Sequence, residues 1–226
     1  MYKLHGFSQS GNTFKVAFLL RALQQPWEPV FVDFMNGVTR TEAWRSQCNA
    51  MGEVPVLEED GHLMTQSALI LGHLARKHGA YGGRSDEDQQ EVLRWLLFDN
   101  HKFTSYFASY RFIKAFGAAA PDPAVMAWLR GRLDNAFGIV DKHLSSREFM
   151  IDSGPSIADM SLCGYLGYPV EESGYSIAER VSPHQCVARA RTRNPWLGIA
   201  LRHTAGRENR PKMVTPNITA CSRLCT

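Results

Sequence analysis

The chain has 226 residues, of which 44% are hydrophobic, and a formal net charge of +3, so it is long enough for one large or two small domains. No apolar run approaches the roughly 20 residues of a membrane-spanning helix, and the N-terminus lacks the pattern of a secretory signal. We therefore expect a cytoplasmic protein without a membrane partner. The five cysteines are odd in number and irregularly spaced, which indicates reduced thiols and not a disulfide framework.

The positive charge is concentrated at one end of the chain. Acidic residues outnumber basic residues in residues 1–180, whereas residues 181–226 are rich in Lys and Arg and contain Glu208 as their acidic residue. A nucleic-acid partner would depend on this basic segment alone, and we do not expect one. Three interpretations of the segment stay open: a contact surface, a lineage-specific extension, or an out-of-frame translation of an ordinary C-terminus.

The first eighty residues alternate between strand and helix patterns of hydrophobic spacing. This order predicts an α/β domain over residues 1–79. The predicted elements are a strand at 2–6, a helix around 16–23, a buried strand at 30–34, a short helix at 41–45, strands on both sides of Asp60-Gly61, and a helix from Gln66-Ser67 to about Lys77. Asp60-Gly61 is a two-residue hairpin signal, and residues 58–60 are interpreted as a solvated turn.

From residue 86 onward the apolar spacing is that of helices alone. The glycine-rich residues 80–85 are interpreted as a linker, residues 86–180 as an all-helical domain, and residues 181–226 as an atypical basic C-terminal segment. Acidic residues begin the first of these helices, where the helix dipole favours them. Ser156 and Asp159 form an N-capping signal before another apolar helix.

The stretch around Val54 and Pro55 has the strongest functional pattern. Proline cannot donate a hydrogen bond to a central sheet ladder, and X-Pro is the one bond type in which the cis form is cheap. A cis Val54-Pro55 bond would leave the backbone N–H and C=O of Val54 free for a ligand. Gln66 and Ser67 follow at a helix start, whose positive potential attracts anions. The stretch therefore predicts a site for a small, peptide-like ligand with a carboxylate.

Four features in their chain order resemble the cytosolic glutathione S-transferases, and most of all the bacterial members of the serine and asparagine types. They are the alternation of strands and helices, Val54-Pro55, Gln66-Ser67, and the Ser156…Asp159 cap. The resemblance covers about residues 1–180. It implies a thioredoxin-like N-terminal domain that binds glutathione, plus an all-helical domain that supplies most of the second substrate's pocket. It also implies a homodimer that uses glutathione as its co-substrate and no metal.

The resemblance assigns binding roles within the N-terminal domain. The backbone of Val54 and Pro55 would pair with the cysteine moiety of glutathione, and Gln66 and Ser67 would hold the γ-glutamyl carboxylate. Glu53 departs from the family pattern, because it replaces a residue that often faces the glycine carboxylate of glutathione. Two like charges there would weaken binding.

The resemblance also assigns the group that activates the thiol. Counting back from Lys15 in the first helix reaches Ser10 as the catalytic hydroxyl, and Asn12 falls where some bacterial members direct an amide toward the sulfur. A free thiol has a pKa of about 8.5 and is only partly ionised at neutral pH. Both groups could donate hydrogen bonds to the thiolate and so favour its formation. Ser8 is the second candidate for the catalytic hydroxyl. The alternative without a catalytic role is that Ser10 only caps the helix.

These roles imply an enzyme of detoxification that conjugates glutathione to a small electrophile or reduces a peroxide. Two alternatives stay open: glutathione-dependent disulfide reduction through bound thiols, and a non-catalytic interaction module on the same fold. The histidines His5, His62 and His73 lack ligand spacing with Cys or carboxylates, so we expect no metal site. The aromatic residues between Phe103 and Phe112 are interpreted mostly as core.

Overall fold

The computed structural model describes residues 1–174. These residues divide into two compact units, Met1–Ala80 and a helical unit that begins at Tyr81. The basic segment 181–226, with its three interpretations, lies outside the described residues, as do residues 175–180 of the predicted helical domain.

The first unit is a four-stranded mixed sheet with three helices. Its elements are β1 (Tyr2–Gly6), α1 (Gly11–Ala22), β2 (Trp27–Phe31), α2 (Glu42–Gln47), β3 (Val56–Glu59), β4 (His62–Thr65) and α3 (Ser67–His78). The strand order is β2-β1-β3-β4, in which β1 runs parallel to β2 and antiparallel to β3. This succession of a βαβ unit, a hairpin and a helix is the predicted thioredoxin-like fold.

The buried apolar side chains of this unit come from the two central strands and from α1 and α3, which contact each other. Completely or almost completely buried examples are Leu4, Val16, Leu19, Leu20, Val56, Leu57, Ile70, Leu71 and Leu74. Burial of one such side chain stabilises a fold by about 1.5–3 kcal/mol. These contacts fix where the first residues of α1 and α3 lie.

The second strand differs from the sequence prediction in both position and burial. It is formed by Trp27–Phe31 and not by residues 30–34, and it lies at the edge of the sheet, where Phe31 is 46% exposed. Pro29 fits an edge because a proline has no N–H to donate to a further strand. An apolar run in the sequence does not distinguish an edge strand from a central one. Here β3 pairs with the other side of β1, so β2 has a neighbouring strand on one side only.

The hairpin between β3 and β4 is confirmed, but the solvated turn at residues 58–60 is not. Asp60 and Gly61 have φ values of +50° and +82°, the left-handed region that a type I′ turn requires at both central positions. Glu58 and Glu59 belong to β3. Glu58 pairs with Lys3 and His5, and Glu59 pairs with His73 and Lys77. These basic residues are distant in sequence and are brought close by strand pairing and helix packing.

Glu59 is the most strongly perturbed carboxyl of the first unit. Its burial alone would raise the pKa, but hydrogen bonds from Lys77, His73 and Tyr2 outweigh burial and lower the pKa to about 2. The Tyr2 hydroxyl also lies 2.9 Å from His78 Nε2. This cluster joins the start of β1, the end of β3 and the last turns of α3.

The second unit is helical in its described part, as predicted. Its helices are α4 (Asp86–Phe98), α5 (Thr104–Phe116), α6 (Pro123–Leu144), α7 (Ile157–Leu162) and α8 (Val170–Ser173), with a π-helical turn at Asp99–Phe103. The predicted capping box at the start of α7 is present, since Ser156 Oγ accepts a hydrogen bond from the helix backbone and Asp159 accepts one from Ser156 N at 2.9 Å. None of the helices among residues 1–174 is long and apolar enough to cross a membrane.

The aromatic residues between Phe103 and Phe112 are mostly core, as the sequence indicates. Phe103, Phe107 and Tyr110 are buried against α6 and α7, whereas Phe112 is 40% exposed. Asp99 is fully buried in the π-helical turn and accepts hydrogen bonds from Thr104 Oγ1 at 2.7 Å and from Ser161 Oγ. The unit thus combines an apolar core with fully paired buried carboxylates.

Candidate functional site

The start of α1 lies directly after β1. Gly6 ends the strand, and a side chain at this position would collide with Thr13 of α1. Ser10 is the N-cap of the helix: its Oγ accepts a hydrogen bond from Thr13 N at 3.1 Å, and the residue is only 6% exposed. The capping interpretation of Ser10 is therefore confirmed. A hydroxyl that accepts one hydrogen bond still has a proton to donate.

The start of α3 lacks the side-chain cap that five other helices of the described residues have. In α1, α2, α4, α6 and α7 an N-cap side chain accepts a hydrogen bond from the first turn; these caps are Ser10, Thr41, Ser85, Asp122 and Ser156. The α3 helix follows Gln66, which has φ +69° and makes no side-chain cap hydrogen bond. Since the dipole adds positive potential to these uncapped N–H groups, the start of α3 fits a carboxylate.

A side-chain hydrogen bond joins the starts of α3 and α1. Ser67 Oγ donates to Asn12 Oδ1 at 3.4 Å, across 55 positions of sequence. Ser67 is 5% exposed and Asn12 is half-buried. Among residues 1–174 the Asn12 NH2 group has no hydrogen-bond acceptor, so its two donors are available to a ligand.

Gln66 connects the start of α3 to the loop before β3. Its Nε2 donates to Glu53 Oε2 at 2.8 Å and contacts Met51 Sδ as a second acceptor at 3.0 Å. The loop is closed by Asn49, whose Nδ2 donates to Glu53 O at 3.0 Å and whose Oδ1 accepts from Met51 N at 3.0 Å. Both amide protons of Gln66 are therefore used, and the Glu53 carboxylate has a neutral partner.

The peptide bond between Val54 and Pro55 is cis, as expected from the sequence. Pro55 is buried, Val54 is half-buried, and β3 begins one residue later at Val56. The backbone N–H and C=O of Val54 make no hydrogen bond with another residue of the described part of the chain. This residue therefore presents one donor and one acceptor beside the loop of Glu53.

The structure places all the predicted site residues in the first unit, and it pairs Asn12 with Ser67 and Glu53 with Gln66. Ser8, the rival of Ser10, donates its hydroxyl proton to Gln9 Oε1 at 3.1 Å. Sequence reasoning missed Met51. A signal was available, because an Asn two residues earlier is typical of an Asx turn, which fixes the backbone at Met51. No group of three or more potential ligands among residues 1–174 is placed to hold a metal.

Comparisons with known proteins agree with this architecture. The family model for the glutathione S-transferase N-terminal domain matches residues 4–84. A solved glutathione S-transferase from Pseudomonas fluorescens is 32% identical, with a TM-score of 0.70, and the match covers 79% of this chain and 89% of that chain. Glutathione S-transferase F4 of Arabidopsis thaliana is 26% identical over 167 residues, which cover 70% of this chain and 68% of that protein.

A third relative supports the fold alone. The structure of Ure2p in complex with glutathione is 21% identical, with a TM-score of 0.78, and the match covers 89% of this chain and 92% of that chain. The sheet order, the helical second unit and the 32% identity over most of a solved relative lead to one assignment. The chain belongs to the glutathione S-transferase family.

Proposed function

We propose that this protein is a glutathione transferase that activates the thiol of glutathione for attack on a small electrophile or a peroxide. The proposal rests on the uncapped start of α3, where Ser67 is the first helical residue and contacts Asn12 of α1. Relatives named as transferases, and a neighbouring structure that contains glutathione, support glutathione as the co-substrate.

The γ-glutamyl carboxylate is proposed to bind at the start of α3. The N–H groups of its first turn have no side-chain cap, and Ser67, with its hydroxyl, is the first residue of the helix. A carboxylate there would accept charge-assisted hydrogen bonds, which are about twice as strong as neutral ones. Gln66 would reach the ligand only by releasing Glu53 or Met51, so we assign the larger share of carboxylate binding to Ser67.

The cysteine moiety of glutathione is proposed to pair with Val54. A peptide in extended conformation can donate an N–H to the Val54 carbonyl and accept from the Val54 N–H, as in the addition of a strand to a sheet edge. The burial of Pro55 holds this backbone segment in place. These two hydrogen bonds would orient the cysteine side chain of the ligand without using any side chain of the protein.

The thiolate is proposed to be stabilised by hydrogen bonds from Ser10 and Asn12. The Asn12 NH2 has no acceptor among the described residues, and the Ser10 hydroxyl retains a proton in addition to its capping role. Lowering the thiol pKa by one unit corresponds to about 1.4 kcal/mol of preferential stabilisation of the thiolate. Hydrogen bonds of this kind require no metal ion. These donors correspond to the serine or asparagine type within the family.

A second candidate is a protein that binds glutathione without turnover. It is favoured by the burial of Ser10, whose Oγ is already used to cap α1. Calorimetry with glutathione, followed by turnover assays with a chloronitrobenzene, an organic hydroperoxide and a mixed disulfide of glutathione, distinguishes the candidates. Turnover of the first or second substrate supports the transferase, whereas binding without turnover identifies the interaction module. Turnover of the mixed disulfide alone identifies a reductase, and absence of binding contradicts all three.

The protein is further proposed to act as a cytoplasmic homodimer, as is implied by the family resemblance. Sedimentation equilibrium of the full chain measures the mass in solution directly. A mass twice that of the 25.4 kDa chain supports the dimer, and a monomer mass at micromolar concentration contradicts it.

A further inference from the structure

One exposed methionine lies in the candidate site. Met51 is 60% exposed, and its Sδ accepts a hydrogen bond from Gln66 Nε2 at 3.0 Å. In contrast, Met150 and Met160 are 1% and 5% exposed in the core of the second unit. Exposure makes a methionine sulfur accessible to oxidants. Met51 is therefore both exposed and in contact with a residue that bounds the proposed carboxylate site.

We propose that Met51 is an oxidation site through which a hydroperoxide weakens ligand binding at the start of α3. A lone pair of Sδ attacks the peroxide oxygen, a sulfur–oxygen bond forms, and the oxygen–oxygen bond breaks. The proton of the attacked oxygen passes to the second oxygen, which leaves as an alcohol or as water. The thioether loses two electrons to become a sulfoxide, and the hydroperoxide is reduced. The inference rests on the proposed function, because its readout is glutathione affinity.

The sulfoxide changes the hydrogen bonds of Gln66. A thioether is a weak acceptor, whereas the sulfoxide oxygen is strongly polar. The Gln66 proton that points to Met51 therefore gains a better acceptor, while the other proton stays on Glu53 at 2.8 Å. Since Gln66 reaches the ligand only by releasing Glu53 or Met51, oxidation raises the cost of freeing its amide for the carboxylate. We expect about tenfold weaker glutathione binding, the ratio for one lost hydrogen bond to a charged group.

The test compares the full-length protein before and after exposure to hydrogen peroxide. Dithiothreitol follows the peroxide, since it restores oxidised thiols and disulfides but leaves methionine sulfoxide in place. Peptide mass spectrometry measures the sulfoxide at Met51, and calorimetry measures the glutathione dissociation constant. Met51→Leu is the variant that cannot be oxidised at this position. Met35→Leu is the matched control, because Met35 is also exposed, at 43%, but lies in the loop after β2.

The expected result is a rise of about tenfold in the dissociation constant for the wild type and for Met35→Leu. Met51→Leu should keep its affinity after the same treatment, and methionine sulfoxide reductase should restore the affinity of the oxidised wild type. An oxidised Met51 with unchanged affinity, or an equal loss in Met51→Leu, overturns the inference and leaves the proposed function intact. Absence of glutathione binding before oxidation overturns the proposed function, and this inference with it.

A second readout does not depend on glutathione. The side-chain NH2 resonances of Gln66, identified by their absence in Gln66→Leu, report the acceptors of the amide directly. Oxidation should shift these resonances in the wild type and in Met35→Leu but not in Met51→Leu. Unshifted resonances in a protein whose Met51 is oxidised would contradict the proposed change of acceptor.

Discussion

The Ser67 hydroxyl donates a hydrogen bond to Asn12 Oδ1 across 3.4 Å and thereby links the starts of α3 and α1. One of these helix starts offers uncapped N–H groups, and the other offers an amide whose NH2 has no acceptor among residues 1–174. A carboxylate bound to α3 would compete for the Ser67 proton and release the Asn12 oxygen. The two parts of the candidate site are therefore coupled through one contact, which leads to the first prediction.

Ser67→Ala is expected to raise the glutathione dissociation constant about tenfold, since a hydrogen bond to a charged ligand group is worth about 1.5 kcal/mol. Calorimetry at neutral pH measures this change. Ser46→Ala is a matched control, because Ser46 is an exposed helix serine of α2 whose Oγ donates to Glu42 O. If both variants lose affinity equally, Ser67 has no special role in binding.

Ser10→Ala is expected to have two separable effects. Loss of the cap should lower the free energy of unfolding by about 1 kcal/mol. Loss of a donor to the thiolate should raise, by about one unit, the pH at which glutathione-dependent activity is half-maximal. The measurements are urea denaturation and a pH–rate profile.

Ser85→Ala separates the two effects of the Ser10 substitution. Ser85 caps α4 in the same way, with its Oγ 3.2 Å from Asp88 N, but lies in the second unit. We expect a similar loss of stability without a change in the pH profile. An unchanged profile in Ser10→Ala, together with a shifted profile in Asn12→Ala, would assign thiolate stabilisation to Asn12 alone.

Glu53→Gln is expected to bind glutathione several-fold more tightly, because it removes a negative charge near an anionic ligand while keeping a side chain that can pair with Gln66. Glu53→Lys should bind more tightly still. The gain should shrink as salt is raised from low to physiological ionic strength, at which the Debye screening length is about 8 Å. Glu42→Gln, an exposed substitution on α2, serves as the control for overall charge. Unchanged or weaker binding by both Glu53 variants would refute this account.

Glu59→Gln is expected to destabilise the protein at neutral pH by roughly 2 kcal/mol, because the variant cannot pair with His73 and Lys77 as a carboxylate. The Glu59 pKa is lowered from 4.5 to about 2 in the folded chain. A carboxyl whose pKa is lower in the folded chain stabilises the fold at pH values above its unfolded pKa. This contribution is lost as the pH falls through its folded pKa.

The difference between wild type and Glu59→Gln should therefore be constant above about pH 5 and should decline between pH 4.5 and about 2. Urea denaturation across this range measures it. Glu28→Gln, on the exposed face of β2, is the control and should show no such decline. A difference that is undiminished at pH 2 would mean that the substituted amide disturbs packing and that the charge of Glu59 is not responsible.

Short-range patterns determined most of the elements of this protein. The hairpin at Asp60-Gly61 follows from the left-handed backbone that two-residue turns require, and the caps at Ser10 and Ser156 follow from hydroxyls placed before apolar helices. The proline after Val54 and the helix start at Gln66-Ser67 made this stretch a candidate site, and the family resemblance added the role of each residue. All of these depend on residues within a few positions of one another, which is why the amino-acid order is enough to predict them.

Only the tertiary structure decided which of these residues meet. The hydrogen bonds of Ser67 with Asn12 and of Gln66 with Glu53 span 55 and 13 positions, and the pairing of Glu59 with His73 and Lys77 depends on how α3 packs beside the end of β3. The exposed position of β2 likewise depends on which strands border β1. Contacts of this kind depend on how helices pack on a sheet, and the local propensities of residues do not predict that packing.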